Sequence, residues 1–144
     1  MAEEEKKGGK VDEAEVKQRY LELQMAGKHI KKFHERVEAL DEQLGSMEAV
    51  IQSLEELKSM EEGAEMLSPI SEGIFVKGTL KDSNELIVNV GGGVAVAKTV
   101  DEAKELLRSR IGQGMRHRSE LIEELQQLVA DAKQKEKELE AMIE

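Results

Sequence analysis

Four groups of residues in this chain are of types that carry chemistry, and the spacing of each decides what it can do. The stretch NVGGGVAVAKTVDEA, residues 89–103, sets three glycines ahead of a helix-like segment, and such a run can cradle phosphate with its backbone N–H groups. A Walker loop, however, closes on Gly-Lys-Ser/Thr and opens directly into its helix. Here Gly93 is followed by Val94-Ala95-Val96-Ala97, a strand pattern, and the helix waits until Thr99. A dinucleotide fingerprint fails for the same reason. Gly91, Gly92 and Gly93 therefore read as the turn of a β-hairpin, where positive φ angles are required and glycine meets them without strain.

The other three groups are weaker. His29 and His34 are five apart, off the i, i+3 or i+4 spacing that shares a helix face, and His117 is remote, so no metal site is expected. Glu55-Glu56 and Glu61-Glu62 have no apolar pocket around them to raise a carboxyl pKa for acid–base work, and read as solvated helix faces. The basic islands GKHIKKFHER (27–36) and RSRIGQGMRHRSE (108–120) read as partners of acidic neighbours within the molecule. No catalytic residue and no cofactor is expected. The chain is not read as an enzyme; a nucleotide-binding enzyme that uses the glycine run is the competing reading.

Composition says what kind of scaffold holds these residues. Of 144 residues 36% are charged and 2% aromatic, with Tyr20, Phe33 and Phe75 the only rings. That is too little bulk for a thick globular core, and it suits long helices with a narrow apolar seam. A formal net charge of −10 disfavours nucleic acid and anionic membrane surfaces, both of which recruit Lys and Arg. The absence of cysteine removes disulfides and thiolate chemistry and fits a reducing compartment. The opening MAEEEKKGGK lacks the apolar stretch of a secretory signal, and no apolar run approaches the ~20 residues that span a bilayer. The expectation is a soluble cytoplasmic protein.

The periodicity is explicit. Residues 1–10 form a charged tail, and from 11 to 62 a heptad repeat runs through Val16, Leu23, Ile30, Val37, Leu44 and Ile51 at a, with Ala26, Phe33, Leu40, Met47 and Leu54 at d. Gly63 is placed as its C-terminal stop. A second seam, from 100 to 144, has Lys104, Ile111, Arg118, Leu125, Ala132 and Leu139 at a and Leu107, Gly114, Leu121, Leu128, Lys135 and Met142 at d. Thr99 followed by Glu102 forms a capping box at its start. Helices of this length, ~75 and ~65 Å at 1.5 Å per residue, must lie along each other. A chain that reverses between them makes the pair antiparallel. Apolar layers then match when Ile51 meets Leu107, Met47 meets Ile111, Val37 meets Leu121, Phe33 meets Leu125 and Val16 meets Met142. The same register sets Leu44 against Gly114 and brings Arg116 and Arg118 to Asp41 or Glu42.

Between the helices, residues 66–99 read as four short strands in two hairpins, divided by KDSNE and GGG. Ile74, Val76 and Leu80 point one way and Phe75, Lys77 and Thr79 the other. Leu86, Val88 and Val90 oppose Ile87 and Asn89, and Val94 and Val96 oppose Ala95 and Ala97. Hairpins this small do not bury such faces alone, and their open edges invite other chains. Ile74, Phe75, Val76, Leu80, Leu86, Val88, Val90, Val94 and Val96 are accordingly the expected oligomerisation residues of an α+β chain, a long antiparallel two-helix coiled coil with two small β-hairpins between the helices.

The segments LSPISEGIFVKGTL (67–80) and LIVNVGGGVAVAKTVDEA (86–103), in this order of long helix, two hairpins and long helix, resemble the alpha-type subunit of archaeal prefoldin. Ser71 stands where that family usually has the first glycine of a Gly-x-Gly. The resemblance implies a heterohexamer of two alpha-type and four β-type subunits joined through intersubunit β-barrels. It implies an ATP-independent chaperone that binds unfolded client proteins at coiled-coil tips and passes them to a group II chaperonin. Carried onto this chain, the client-binding tip is Val11, Val16, Tyr20, Leu23 and Met25 with Leu139, Met142 and Ile143. There the seam weakens, since Leu23 faces Lys135 and Arg19 faces Leu139, and methionine adds adaptability. The alternative within the same fold is a filament-forming structural protein.

Overall fold

The structure, a computed structural model, describes residues 12–143; the tail expected over 1–10 and the tip residue Val11 lie outside the described residues. In chain order the elements are helix α1 (Glu13–Lys58), strands β1 (Glu65–Ser71), β2 (Ile74–Thr79), β3 (Leu86–Gly91) and β4 (Val94–Lys98), and helix α2 (Val100–Ile143). Two compact units follow from the contacts. One holds residues 12–41 and 116–143, the other Glu42–Met115.

Each helix starts where its cap dictates. Asp12 accepts the Ala14 amide on Oδ1 at 3.1 Å, and Glu13 and Glu15 place negative charge on the first turn of α1. At α2 the capping box is reciprocal: the Glu102 amide donates to Thr99 Oγ1 at 3.2 Å and the Thr99 amide donates to Glu102 Oε1 at 3.1 Å. Those bonds, from the Thr99 backbone first, hold the Glu102 carboxyl below its ordinary range.

The end of α1 differs from the expected stop at Gly63, because the helix finishes at Lys58. The Ser59 amide bonds the Glu56 carbonyl at 3.1 Å and the Met60 amide the Leu57 carbonyl at 3.0 Å, an i to i−3 tightening of the last turn. Ser59 Oγ also donates to the Glu56 carbonyl at 2.7 Å, a side chain competing for the carbonyl that the next turn would have used. Gly63, at φ +85°, turns the chain instead, and its amide donates to the Leu80 carbonyl at 2.7 Å. The Leu80 amide returns a bond to the Ala64 carbonyl at 2.9 Å, continuing the first hairpin's ladder.

The two hairpins are built alike. In the first, Pro69 pairs with Phe75 and Ser71 with Ile74, with the register shifting at Ile70; in the second, Asn89 pairs with Ala95 and Gly91 with Val94, with the shift at Val90. Each is a bulge beside a two-residue turn with positive φ at both central positions: Glu72 (+53°) and Gly73 (+78°), then Gly92 (+60°) and Gly93 (+77°). Ser71 keeps a negative φ, so its departure from glycine costs no strain; the left-handed position falls on Glu72. Gly91 is at φ +117° and its amide donates to Asn89 Oδ1 at 3.0 Å. The glycine run is a hairpin turn, and no phosphate loop forms there.

Every a and d position of both seams from Val16 to Met142 is buried or half-buried, with Val37, Leu44, Leu121, Leu125 and Leu139 the most enclosed. Two cross-helix contacts of the expected register are seen, Leu44 beside Gly114 and Arg118 with Asp41. Leu44 Cδ2 lies 2.5 Å from where a Cβ on Gly114 would stand, so that glycine permits the close approach. Arg118 Nε donates to Asp41 Oδ1 at 2.6 Å. That hydrogen bond, and then the carboxylate's charge, raises the guanidinium's pKa further.

Candidate assembly and client-contact surfaces

The chain's chemistry lies in uncovered apolar surface, and it is concentrated in two places. The first is the hairpins. All residues of β1 and β2 are exposed, on both faces. Of the expected oligomerisation residues, Ile74, Phe75, Val76, Val90, Val94 and Val96 are exposed. Leu86 and Val88 are half-buried, in the stretch of β3 that lines a groove with α1 and α2 residues. Leu80 differs: it is buried where its backbone exchanges hydrogen bonds with Gly63 and Ala64, and so it presents little surface to a neighbour. Three residues outside that expected set, Leu67, Ile70 and Ile87, are among the most open large apolar residues described, at 63, 64 and 70% exposed. Strand alternation marks Ile87; Leu67 and Ile70 are obscured in the sequence by Pro69, which demotes a run to a non-strand or an edge.

The second place is the end of the helix pair carrying Glu13 and Ile143. Val16, Tyr20, Leu139, Met142 and Ile143 line an open groove of about 560 Å³, with Glu13 and Lys17 beside them. Tyr20, Met25 and Ile143 are exposed there, and so is Leu21, which occupies neither an a nor a d position. Val16, Leu23 and Met142 are half-buried, and Leu139 is buried at 8% exposed. The helix ends are closed here, since Arg19 reaches across to Glu138 Oε2 at 2.6 Å and toward Glu15 at 4.0 Å instead of confronting Leu139. Met25 lies off this groove's lining. Only the exposed members can meet a partner without the helices parting.

Within Glu42–Met115, two ion pairs join the helices next to the hairpins. Lys104, buried at a seam position, donates to Glu55, and Lys58 Nζ lies 3.2 Å from Asp101. The hydrogen bond from Lys104, then its charge, lowers the Glu55 pKa below the ordinary 4.5. A lysine stem covers apolar surface while its ammonium reaches the exposed rim. Among the described residues no group of three or more His, Cys, Asp or Glu could hold a metal ion, and no helix is long and apolar enough to cross a membrane.

Comparison with known proteins agrees with this arrangement. Residues 27–144 match the family described as Prefoldin subunit. The chain is 49% identical over 65 residues to prefoldin subunit alpha of Thermococcus onnurineus, covering 44% of each. It is 40% identical over 78 residues to that of Pyrococcus horikoshii, covering 54% of this chain and 53% of that one. With the Archaeoglobus fulgidus subunit alpha, 26% identity extends over 129 residues, 90% of this chain and 94% of the relative. The chain spans about half the length of the first several curated relatives it matches. Among solved structures, filamentous PFD from Methanocaldococcus jannaschii superposes with a TM-score of 0.72 at 19% identity, covering 78% of this chain and 93% of that one. At that identity the likeness speaks for the fold: two long helices with two antiparallel hairpins between them.

Proposed function

The chain belongs to the prefoldin family, a chaperone family, and we propose that it works as an ATP-independent holdase subunit. Its hairpins join β-type subunits in intersubunit β-barrels, as two alpha-type chains among four β-type ones, in the cytoplasm. Its helix ends hold non-native clients and pass them to a group II chaperonin. The observation that carries this reading is the open groove at the Glu13 and Ile143 end, lined by Val16, Tyr20, Leu139, Met142 and Ile143. Its exposed members, Tyr20 and Ile143, offer apolar surface suited to binding non-native segments with little sequence preference. Contacts that are weak singly gain avidity when several chains present them together, because one engaged tip raises the effective concentration at the next.

The test removes residues 1–20 and 133–144 together. Suppression of client aggregation should disappear while the oligomer persists by native mass measurement. Undiminished holdase activity in the truncated oligomer refutes the proposal. A second reading is favoured by the likeness to filamentous PFD: the same hairpins polymerise head to tail. Filaments of the purified chain in electron micrographs would favour it.

A further inference from the structure

The first basic island, GKHIKKFHER, is not absorbed by pairing within the helix pair. From Leu23 to His34 twelve successive residues include no Asp or Glu. Lys28, Lys31 and Lys32 are exposed and make none of the ion pairs among the described residues. Lys28 has Gln24, Met25, Lys31 and Lys32 at i±3 and i±4, so its own helix offers it no carboxylate. Glu35 is the one acid at that spacing from Lys31 and Lys32, and it bridges neither. Arg36, by contrast, lies over the Phe33 ring, 5.4 Å from its centroid.

Two apolar side chains adjoin these lysines. Of the four large apolar residues exposed in the unit of residues 12–41 and 116–143, Tyr20 and Ile143 line the groove at the helix ends, whereas Leu21 and Met25 do not. Leu21 and Met25 are 51 and 59% exposed and lie off the heptad seam. Leu21, Met25, Lys28 and Lys32 follow one another at intervals of four, three and four residues, the spacing that stacks side chains on one face of a helix. The face is ~16 Å long, apolar toward Glu13 and cationic at its other end.

Charge complementarity selects an acidic occupant, and the apolar pair selects its kind. Lysines three and four residues apart repel one another, so carboxylates brought to them are favoured, and apolar groups on the same occupant cover Leu21 and Met25. A nucleic acid would answer the lysines and leave the apolar pair bare. The face also lacks an arginine fork for phosphate and an aromatic ring for a base, in a chain of net charge −10. We infer that this face of α1 docks an acidic amphipathic helix of a partner protein, about three turns long, with its apolar residues on Leu21 and Met25 and its carboxylates on Lys28, Lys31 and Lys32. This seat is separate from the groove proposed for non-native clients, and its occupant is a defined segment.

The experiment titrates full-length chain into a fluorescein-labelled synthetic peptide, two leucines one helical turn apart followed by a run of glutamates, and reads fluorescence anisotropy. Binding should fall with added salt. It should weaken about tenfold or more when Lys28, Lys31 and Lys32 are all replaced by Glu, and likewise when Leu21 and Met25 are replaced by Ser. The charge-reversed variant should instead bind a peptide with lysines in place of the glutamates, a gain that an unfolded variant cannot imitate. The same variant should still suppress client aggregation, which separates this face from the groove at the helix ends. Four results would each overturn the inference: no peptide binding by wild-type chain, binding indifferent to the lysine substitutions, or duplex DNA bound more tightly than the peptide. The fourth is peptide binding seen only after Glu3, Glu4 and Glu5 are replaced by Gln, which would give the face to the chain's own first residues.

Discussion

The helix pair and the β-hairpins come from one sequence and handle apolar surface in opposite ways. Along the seam, Val37, Leu44, Leu121 and Leu125 are buried, and Arg118, Lys104 and Arg19 find partners in Asp41, Glu55 and Glu138. On the hairpins, Ile70, Ile74, Phe75 and Ile87 stand open. The first hairpin is exposed on both faces and the second rests on helix residues only through Leu86 and Val88, so two-stranded ribbons of this size leave most of their apolar residues uncovered. With assembly proposed to run through the open hairpin residues, the stability of the helices and the assembly of the molecule should be separable by mutation.

The largest effect is expected on the open side. Replacing Ile74 and Phe75 together by Asp should weaken assembly by roughly thirtyfold or more, on the scale of losing an interface hot spot, with the thermal unfolding of the helices little changed. Native mass measurement and circular dichroism read the two halves. Equal loss of helix stability would erase the contrast. On the closed side, Leu121→Ala should lower helix-pair stability by about 3 kcal/mol in denaturant unfolding, because a buried leucine leaves a cavity that rigid helices fill poorly. Assembly at temperatures well below melting should persist.

Two glycines of α2 sharpen the comparison within the seam itself. Nothing lies within 4 Å of where a Cβ on Gly112 would stand, so Gly112→Ala should gain roughly 0.5–1 kcal/mol from helix propensity. Gly114→Ala meets Leu44 Cδ2 at 2.5 Å, and Leu44 is enclosed, so the gain should be cancelled or reversed. Melting temperatures moving upward alike in both variants would show that the helices do not approach closely at the Leu44 layer.

The smallest effect is on pH dependence. The carboxyls of Glu55 and Glu102 sit below their ordinary value of 4.5 in the folded chain. Their contribution is therefore complete above that value and fades as pH falls through the lowered folded values. The helix pair should lose stability on acidification below about pH 4.5, and Glu102→Gln should flatten that slope. An unchanged slope in the variant would remove the capping box from the explanation.

Much of this architecture is legible in the sequence because periodicity reports burial directly. The heptads name each seam position that is withdrawn from solvent, the Gly114 and Leu44 layer follows from register, and the Thr99 and Glu102 pair follows from cap chemistry. The end of α1 is not legible, since Gly63 advertises a stop while the actual one depends on Ser59 taking the Glu56 carbonyl. Leu80 reads as a surface residue because alternation gives its face but not the pairing of its backbone with Gly63 and Ala64, which continues the chain's fold beyond β2. Arg19 reads as a mismatch opposite Leu139, yet its length lets it pass that layer and reach Glu138. The groove beside Leu86 and Val88 joins residues from three elements, and no single-element pattern could assemble it.

The most direct measurement is the native mass of the chain after co-expression with candidate β-type subunits. If the uncovered hairpin faces are assembly surfaces, the chain should be recovered in a stable hetero-oligomer of two alpha-type and four β-type subunits, and the Ile74→Asp, Phe75→Asp variant should fall out of it. A wild-type chain recovered as a stable lone monomer, with its hairpins intact and uncovered, would contradict that claim.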